Sequence, residues 1–352
     1  MFKRLFSNDL PNSRPLAVIL VIIVAGLLLT PMLFPGAKAL GVAAKILVFI
    51  VLVASYDLLL GYTGIVSFAH TMFFGIGAYG VAIALTRYPA SFSAIAAGLA
   101  CAIALSALLA FVIGLFSLRV RAIFYAMITL AVASAFQTLA SQLSDFTGGE
   151  DGLNFKVPAL LTPGFRLLEE PLMGVVFDGR LITYYLLFAC ALTLFLLLLR
   201  IVNSPFGRVL QAIRENDFRA EALGYRVVVY RTLSNVLAAV FATCAGALLA
   251  IWLRYNGPDT SLSFEIMLDI LLMVVIGGMG TLYGAVIGAA IFVFAQSYLQ
   301  ELLKLGAGAV DGIPLLSALV NPDRWLFWLG LLFVLSVYYF PAGVVGRLRN
   351  NK

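Results

Sequence analysis

GYTGIVSFAHTMFFGIGAY, residues 61–79, lies between two apolar runs and carries the chain's single histidine, His70. It holds Gly61, Gly64, Gly75 and Gly77, with Gly80 just beyond, and no Lys, Arg, Asp or Glu. A bilayer offers no water to free backbone groups, so irregular chain persists at membrane depth only when buried in protein or lining a wet cavity. Two readings follow. Gly61, Tyr62, Thr63 and Gly64 form an ordinary turn between two spans, or they break a helix in a re-entrant segment that reaches the midplane. The missing charges favour the break, because nothing in the stretch anchors it in water. For Gly75, Gly77 and Gly80 the spacing favours close helix packing through small residues.

Composition places the stretch in a membrane protein. Of 352 residues, 62% are hydrophobic and 11% charged, where a soluble domain carries about 25% charged residues. Mean hydropathy is +1.05. Water cannot cover such a surface. The expected fold class is all-α, a polytopic membrane helical bundle with discontinuous or re-entrant elements, forming one transmembrane domain over residues 1–352. Cys101, Cys190 and Cys244 each sit in an apolar run and read as small core residues with no disulfide or metal pattern. The net charge of +6 lies beside membrane segments, which makes it an orientation signal rather than a nucleic-acid footprint. Lys3 and Arg4 before an apolar run invite a signal-peptide reading. Leu16–Phe34 is long for one and lacks an Ala-x-Ala site, so it reads as the first span.

A crossing helix needs about 20 apolar residues. Spans are expected near 16–34, 40–60, 71–86, 92–118, 121–140, 181–202, 231–253, 266–276, 281–303 and 324–340, the 266–276 piece being too short to cross alone. Charge tests the parity of these ten. Between residues 200 and 231 stand six arginines (Arg200, Arg208, Arg214, Arg219, Arg226, Arg231) against three acids, Glu215, Asp217 and Glu221. The tail adds Arg347, Arg349 and Lys352. From 141 to 180 six acids (Asp145, Glu150, Asp151, Glu169, Glu170, Asp178) face Lys156, Arg166 and Arg180. Lys and Arg favour the cytoplasm, so both termini and the 203–230 segment go inside and the acidic 141–180 loop outside.

The inner segment starts with Ser204 and Pro205, a cap followed by a proline where no amide hydrogen bond is lost. Phe206, Val209, Leu210 and Ile213 then recur on one face. Asn216 or Asp217 can cap a second short helix whose apolar side includes Phe218, Ala222 and Leu223, and Gly224 stands where a left-handed residue is wanted. This is either an amphipathic loop resting on lipid headgroups or a docking element for a soluble partner. Glu221 favours docking, since an acid gains nothing from anionic lipid. The outer loop, with TGGEDGL at 147–153 and Pro158, Pro163 and Pro171, reads as a solvated loop or a binding surface.

A second glycine break, Gly277, Gly278 and Gly280, precedes Thr281, Tyr283 and Gly284. Glycine-interrupted segments in both halves of a chain point to a transporter's binding site. Open helix ends there offer amide donors to a carboxylate and carbonyl acceptors to an ammonium. The expected substrate path therefore includes Tyr62, Gly64, Ser67, His70, Gly277, Gly278 and Gly280. His70 is either a path residue or a buried histidine bracing the break; with no second histidine, metal binding is not expected.

The inner segment resembles the cytoplasmic coupling region of ABC importer permeases, in which a Glu-Ala-x-Gly element fits a cleft on the ATPase. More narrowly, RENDFRAEALGYRV (214–227) resembles the permease subunits of branched-chain amino acid importers, and so do GYTGIVSFAHTMFFGIGAY, TGGEDGL, ILLMVVIGGMGTLYGAVIGA (270–289) and FPAGVVG (340–346). Ile65 and Ala69 stand where that family usually has glutamine and glycine. The resemblance implies a type II ABC importer-like permease of a bacterial inner membrane, multi-pass, carrying branched-chain or related hydrophobic amino acids. Its partners would be ABC ATPase subunits, a second homologous permease and a periplasmic substrate-binding protein docking on the outer side. Arg214, Glu215, Asn216, Glu221, Ala222, Leu223 and Gly224 would form the ATPase coupling element. The chain has no Gly-x-x-x-x-Gly-Lys-Ser/Thr loop, so it is expected to bind no cofactor and to leave ATP-Mg to the partner. The alternatives are a urea or short-amide ABC permease, which shares most of these motifs, and an ion-coupled secondary transporter. The latter needs ionisable groups deep in the membrane, for which the sequence reading offers Asp57 and Asp269. Neither His-Glu-x-x-His nor a serine elbow appears, so an intramembrane hydrolase is a distant reading.

Overall fold

Apart from Lys38, Lys45 and Asp57, the helix from Ala37 to Thr63 carries no charge, and it is buried along most of its length, with Val48, Val51, Leu52, Val53 and Ala54 fully enclosed. A helix apolar all round serves as a bundle axis. The computed structural model describes residues 13–34, 36–116, 122–166, 178–309, 321–340 and 342–350. The elements are α1 (Arg14–Leu33), α2 (Ala37–Thr63), α3 (His70–Arg87), α4 (Phe92–Phe116) and α5 (Ala122–Gln142). Then come α6 (Gly179–Val202), two short helices, α7 (Pro205–Glu215) and α8 (Asp217–Ala222), and the long α9 (Val227–Leu253). They are followed by α10 (Phe264–Gly277), α11 (Leu282–Ala309), α12 (Trp325–Tyr339) and α13 (Gly343–Asn350). Lys3, Arg4, Glu169, Glu170, Pro171 and Lys352 lie outside the described residues.

Among the described residues, nine segments are long and apolar enough to cross a bilayer. The eighteen-residue α3, bounded by His70 and Arg87, is a tenth and less apolar helix. Each of the ten expected segments thus coincides with a helix. One expectation is corrected: the 266–276 piece is not too short. Ser263 caps α10 by accepting from the Glu265 amide (3.1 Å), so the helix starts before the apolar run does. With the single turn Pro258–Ser261 ahead of it, the segment becomes a 20-residue candidate span.

The centre is held by close backbone approach. A side-chain carbon on Gly77 would overlap the Thr243 carbonyl of α9, one on Gly246 the Phe74 carbonyl of α3, and one on Gly75 the Leu262 side chain. On Gly80 it would fall 2.6 Å from the Ala102 Cβ of α4. Without a hydrophobic drive between helices in lipid, such small-residue contacts supply much of the packing. Outside this centre α1, α4, α5 and α12 turn large apolar side chains outward, among them Val21, Phe111, Ile123 and Leu326.

The bundle has two distinct ends. At one, β1 (Leu153–Asn154) pairs antiparallel with β2 (Tyr255–Asn256), placing the 141–166 loop over the end of α9. Phe155, Val157 and Leu161 are buried there, while Glu150 and Asp151 are exposed. At the other end lie α7 and α8, both glycine breaks, and α13, which packs on α2's neighbours α1, α10 and α11.

Candidate functional site

Gly64 ends α2 in the left-handed region (φ 72°), and the Thr63 hydroxyl closes the helix by donating to the Leu59 carbonyl at 2.7 Å. The chain then turns back into the bundle. His70 Nε2 lies 2.8 Å from Ser55 Oγ, and its ring centre is 5.2 Å from that of Tyr56 with the two planes tilted by 56°. Ser55 precedes Thr63 by eight residues, so at 1.5 Å per residue the 64–69 segment climbs back about 12 Å beside α2. The Ser55 proton goes to the Leu52 carbonyl (2.7 Å), which leaves Ser55 Oγ as acceptor and His70 Nε2 as donor. The returning backbone is held by hydroxyls: Thr129 Oγ1 of α5 accepts from the Phe68 amide (3.0 Å), and Ser67 Oγ from the Ala69 amide (3.4 Å). The stretch is a re-entrant break. Gly64 is exposed at the bundle's end, Tyr62 and Ser67 are buried, and His70 is fully enclosed.

The second break packs directly on the first. α10 ends at Gly277, Gly278 (φ 115°) and Gly280 (φ 80°) turn the chain, and Thr281 Oγ1 donates to the Gly278 carbonyl (2.8 Å) before α11 begins. The buried Asp57 carboxylate of α2 accepts from the Gly280 amide at 2.8 Å. Gly277 and Gly278 are buried, the latter against Gly343 at the start of α13. Of the donors that open helix ends were expected to offer a substrate, the Gly280, Phe68 and Ala69 amides are already bonded within the protein.

The 203–230 segment meets this junction through Arg214. Leu210 and Ile213 bury the inner face of α7, and Phe206 stacks on Tyr230 with ring centroids 5.7 Å apart. Arg214, at the end of that helix, lays its stem beside Gly64 and donates from its guanidinium to the Gly61 carbonyl. The Ser204 hydroxyl turns away from α7 and donates to the Ile201 carbonyl (2.6 Å), so Pro205 rather than a side-chain cap starts the helix. Asn216, not Asp217, caps α8, its Oδ1 accepting from the Arg219 amide at 2.9 Å. Gly224 is left-handed (φ 90°). Only Ala220 of α8 is buried; Phe218 and Leu223 are 81% and 72% exposed, with Glu215, Glu221 and Ala222 exposed around them.

The sequence reading missed one polar group at membrane depth. Lys45 lies on α2 and donates to Gln296 of α11 (2.9 Å), which donates in turn to Asp269 of α10 (3.2 Å). Its only signal was a pair of lysines, Lys38 and Lys45, two helical turns apart in an otherwise apolar run. Among the described residues no cluster of three His, Cys, Asp or Glu could hold a metal ion.

A family model for the permease component of branched-chain amino acid transport systems matches residues 38–337. The chain is 25% identical over 300 residues to a high-affinity branched-chain amino acid transport system permease protein of Salmonella typhimurium, covering 81% of this chain and 69% of that protein. The Escherichia coli protein of the same description is 25% identical over 299 residues, with the same coverage. A probable branched-chain amino acid transport permease protein of Methanocaldococcus jannaschii is 25% identical over 250 residues, covering 69% of this chain and 67% of its own. No solved structure gives a significant match.

Proposed function

The chain belongs to the family of branched-chain amino acid transport permease components, and from that premise we propose that it is one of two permease subunits of an ATP-driven importer for branched-chain or related hydrophobic amino acids. A periplasmic binding protein delivers cargo to the end carrying the 141–166 loop. ABC ATPase subunits dock at the other end and hydrolyse ATP-Mg, for which this chain supplies no site. The protein sits in a bacterial inner membrane with both termini and the 203–230 segment in the cytoplasm.

One observation carries the reading: an apolar knob, Phe218 and Leu223 beside Glu221, exposed at the end of the bundle and tied through Arg214 to both glycine breaks. Large apolar groups presented beside acids suit a cleft on a protein, not a headgroup layer. When the ATPase moves α7 and α8, Arg214 draws on the Gly61 carbonyl and hence on the end of α2. Asp57, one turn earlier on the same helix, carries that displacement to Gly280 and the start of α11. Both breaks then shift together, and the break residues gate the path.

Glu221→Arg and Gly224→Leu test this. Each variant is expected in the membrane at wild-type level, but without co-purifying ATPase and without uptake. Gly224 has open space around it, so Gly224→Leu acts through its backbone and its protruding side chain rather than an internal clash. Normal uptake by both variants would return the segment to the role of a lipid-facing loop.

A further inference from the structure

Lys45, Gln296 and Asp269 lie near the middle of three spans. At 1.5 Å per residue Lys45 is about 8 Å from the midpoint of α2, Asp269 about 2 Å from that of 258–277, and Gln296 about 4 Å from that of 282–305. All three therefore fall within a hydrocarbon core about 30 Å thick. They are half-buried rather than enclosed, so the bundle leaves one side of the cluster open. Ionisable groups at that depth are costly to present to lipid and characteristically line substrate or ion pathways.

The arrangement has the chemistry of an amino-acid headgroup. Among the described residues no ion pair joins Lys45 to Asp269. The Gln296 amide stands between them instead, its carbonyl oxygen toward the ammonium and its NH2 toward the carboxylate. Opposite charges on its two sides permit only that orientation of the amide. A zwitterionic amino acid presents the same two functions, an anionic acceptor and a cationic donor, on neighbouring atoms. A second polar step lies on the same seam of α2 and α11, nearer the loop end. There Lys38 pairs with Glu301 and sits 4.9 Å from the centre of the Tyr298 ring. Lys38 precedes Lys45 by two helical turns, about 10 Å. The seam thus carries polar groups from the membrane edge to its middle. Asp57 is not part of it, being bonded to Gly280 at the far end of α2.

We propose that Lys45 binds the carboxylate and Asp269 the ammonium of a zwitterionic amino acid in transit, with the Gln296 amide holding the two charges apart and exchanging its place with the cargo's headgroup. The inference rests on the importer reading above and adds the recognition site to it.

The test uses the full complex, co-expressed with its second permease and ATPases, in vesicles with binding protein outside, ATP inside and radiolabelled leucine as probe. Lys45→Met/Asp269→Asn removes both charges together, so neither is left unpaired, and the new amide still pairs with Gln296. The expected result is normal subunit co-purification, ATP hydrolysis still stimulated by the loaded binding protein, and leucine uptake reduced at least tenfold. Uptake within twofold of wild type overturns the site. So does loss of the second permease on purification, which would make the cluster an interface between subunits. Wild-type uptake that follows a proton gradient instead of ATP overturns the importer reading and this inference with it; that result is read on the wild type alone.

Discussion

A Cβ on Gly61 would overlap both Asp57 Oδ1 and the Gly280 amide nitrogen, while one on Gly64, three residues on, would meet only the Arg214 stem at 3.3 Å. The two glycines therefore do different things. Gly61 is required for space: any side chain there drives α2 off the second break and parts Asp57 from Gly280. Gly64 is required for conformation, since its φ of 72° costs an L-residue about 1–2 kcal/mol. Gly64→Ala should accordingly lower stability modestly and retain most uptake, whereas Gly61→Ala should abolish uptake even where the protein still accumulates. Thermal unfolding of the purified variants, read beside vesicle uptake, checks this. Equal loss of uptake in the two would mean that the Gly61–Gly280 contact has no special part in gating. A bulkier Gly64→Leu adds displacement of Arg214 to the same strain and should lose more uptake than Gly64→Ala, with the ATPase still docked.

The re-entrant segment shows how one element can be half legible. α2 is 27 residues, about 40 Å long at 1.5 Å per residue. The 12 Å climb of residues 64–69 plus about 27 Å for the eighteen residues of α3 matches that length. Glycines, hydroxyls and absent charges were enough to predict a break. They could not say where its amides would go, because the partners are remote in sequence: Thr129 is 61 residues from Phe68, and Asp57 is 223 from Gly280. Local pattern records that a backbone group is freed, whereas the fold decides what receives it. The same limit explains why the break was read as a set of open donors for substrate. Thr129→Val isolates the point, since it keeps the shape but removes the acceptor. An unpaired buried amide costs about 1–3 kcal/mol, so the variant should unfold earlier and exchange its Phe68 amide hydrogen faster. Unchanged exchange at Phe68 would show that the return segment is held by packing alone.

At the scale of the whole molecule, the charge reversal between the two long loops was read as opposite sides of a membrane, and the bundle provides the geometry that reading requires. α6 leads directly from the 141–180 loop to the coupling segment, and α9 returns from that segment to the strand pair under the loop. Each is long enough to cross, at 24 and 27 residues. Lys45 is the case in which local pattern fell short: its spacing of two turns from Lys38 marks one face of α2, but its partners lie 251 residues away on α11 and, through Gln296, on α10. The loops, by contrast, carry their signal in local counts of charge, and this makes the topology testable without knowledge of cargo. Cysteines placed singly at Glu150 and Arg219, both exposed, in a background lacking Cys101, Cys190 and Cys244, should react with an impermeant thiol reagent from opposite sides. In intact cells Glu150→Cys should label and Arg219→Cys should label only after the membrane is opened. Labelling of both in intact cells would put the coupling segment outside, beyond reach of a cytoplasmic ATPase, and the mechanism built on Arg214 would fall with it.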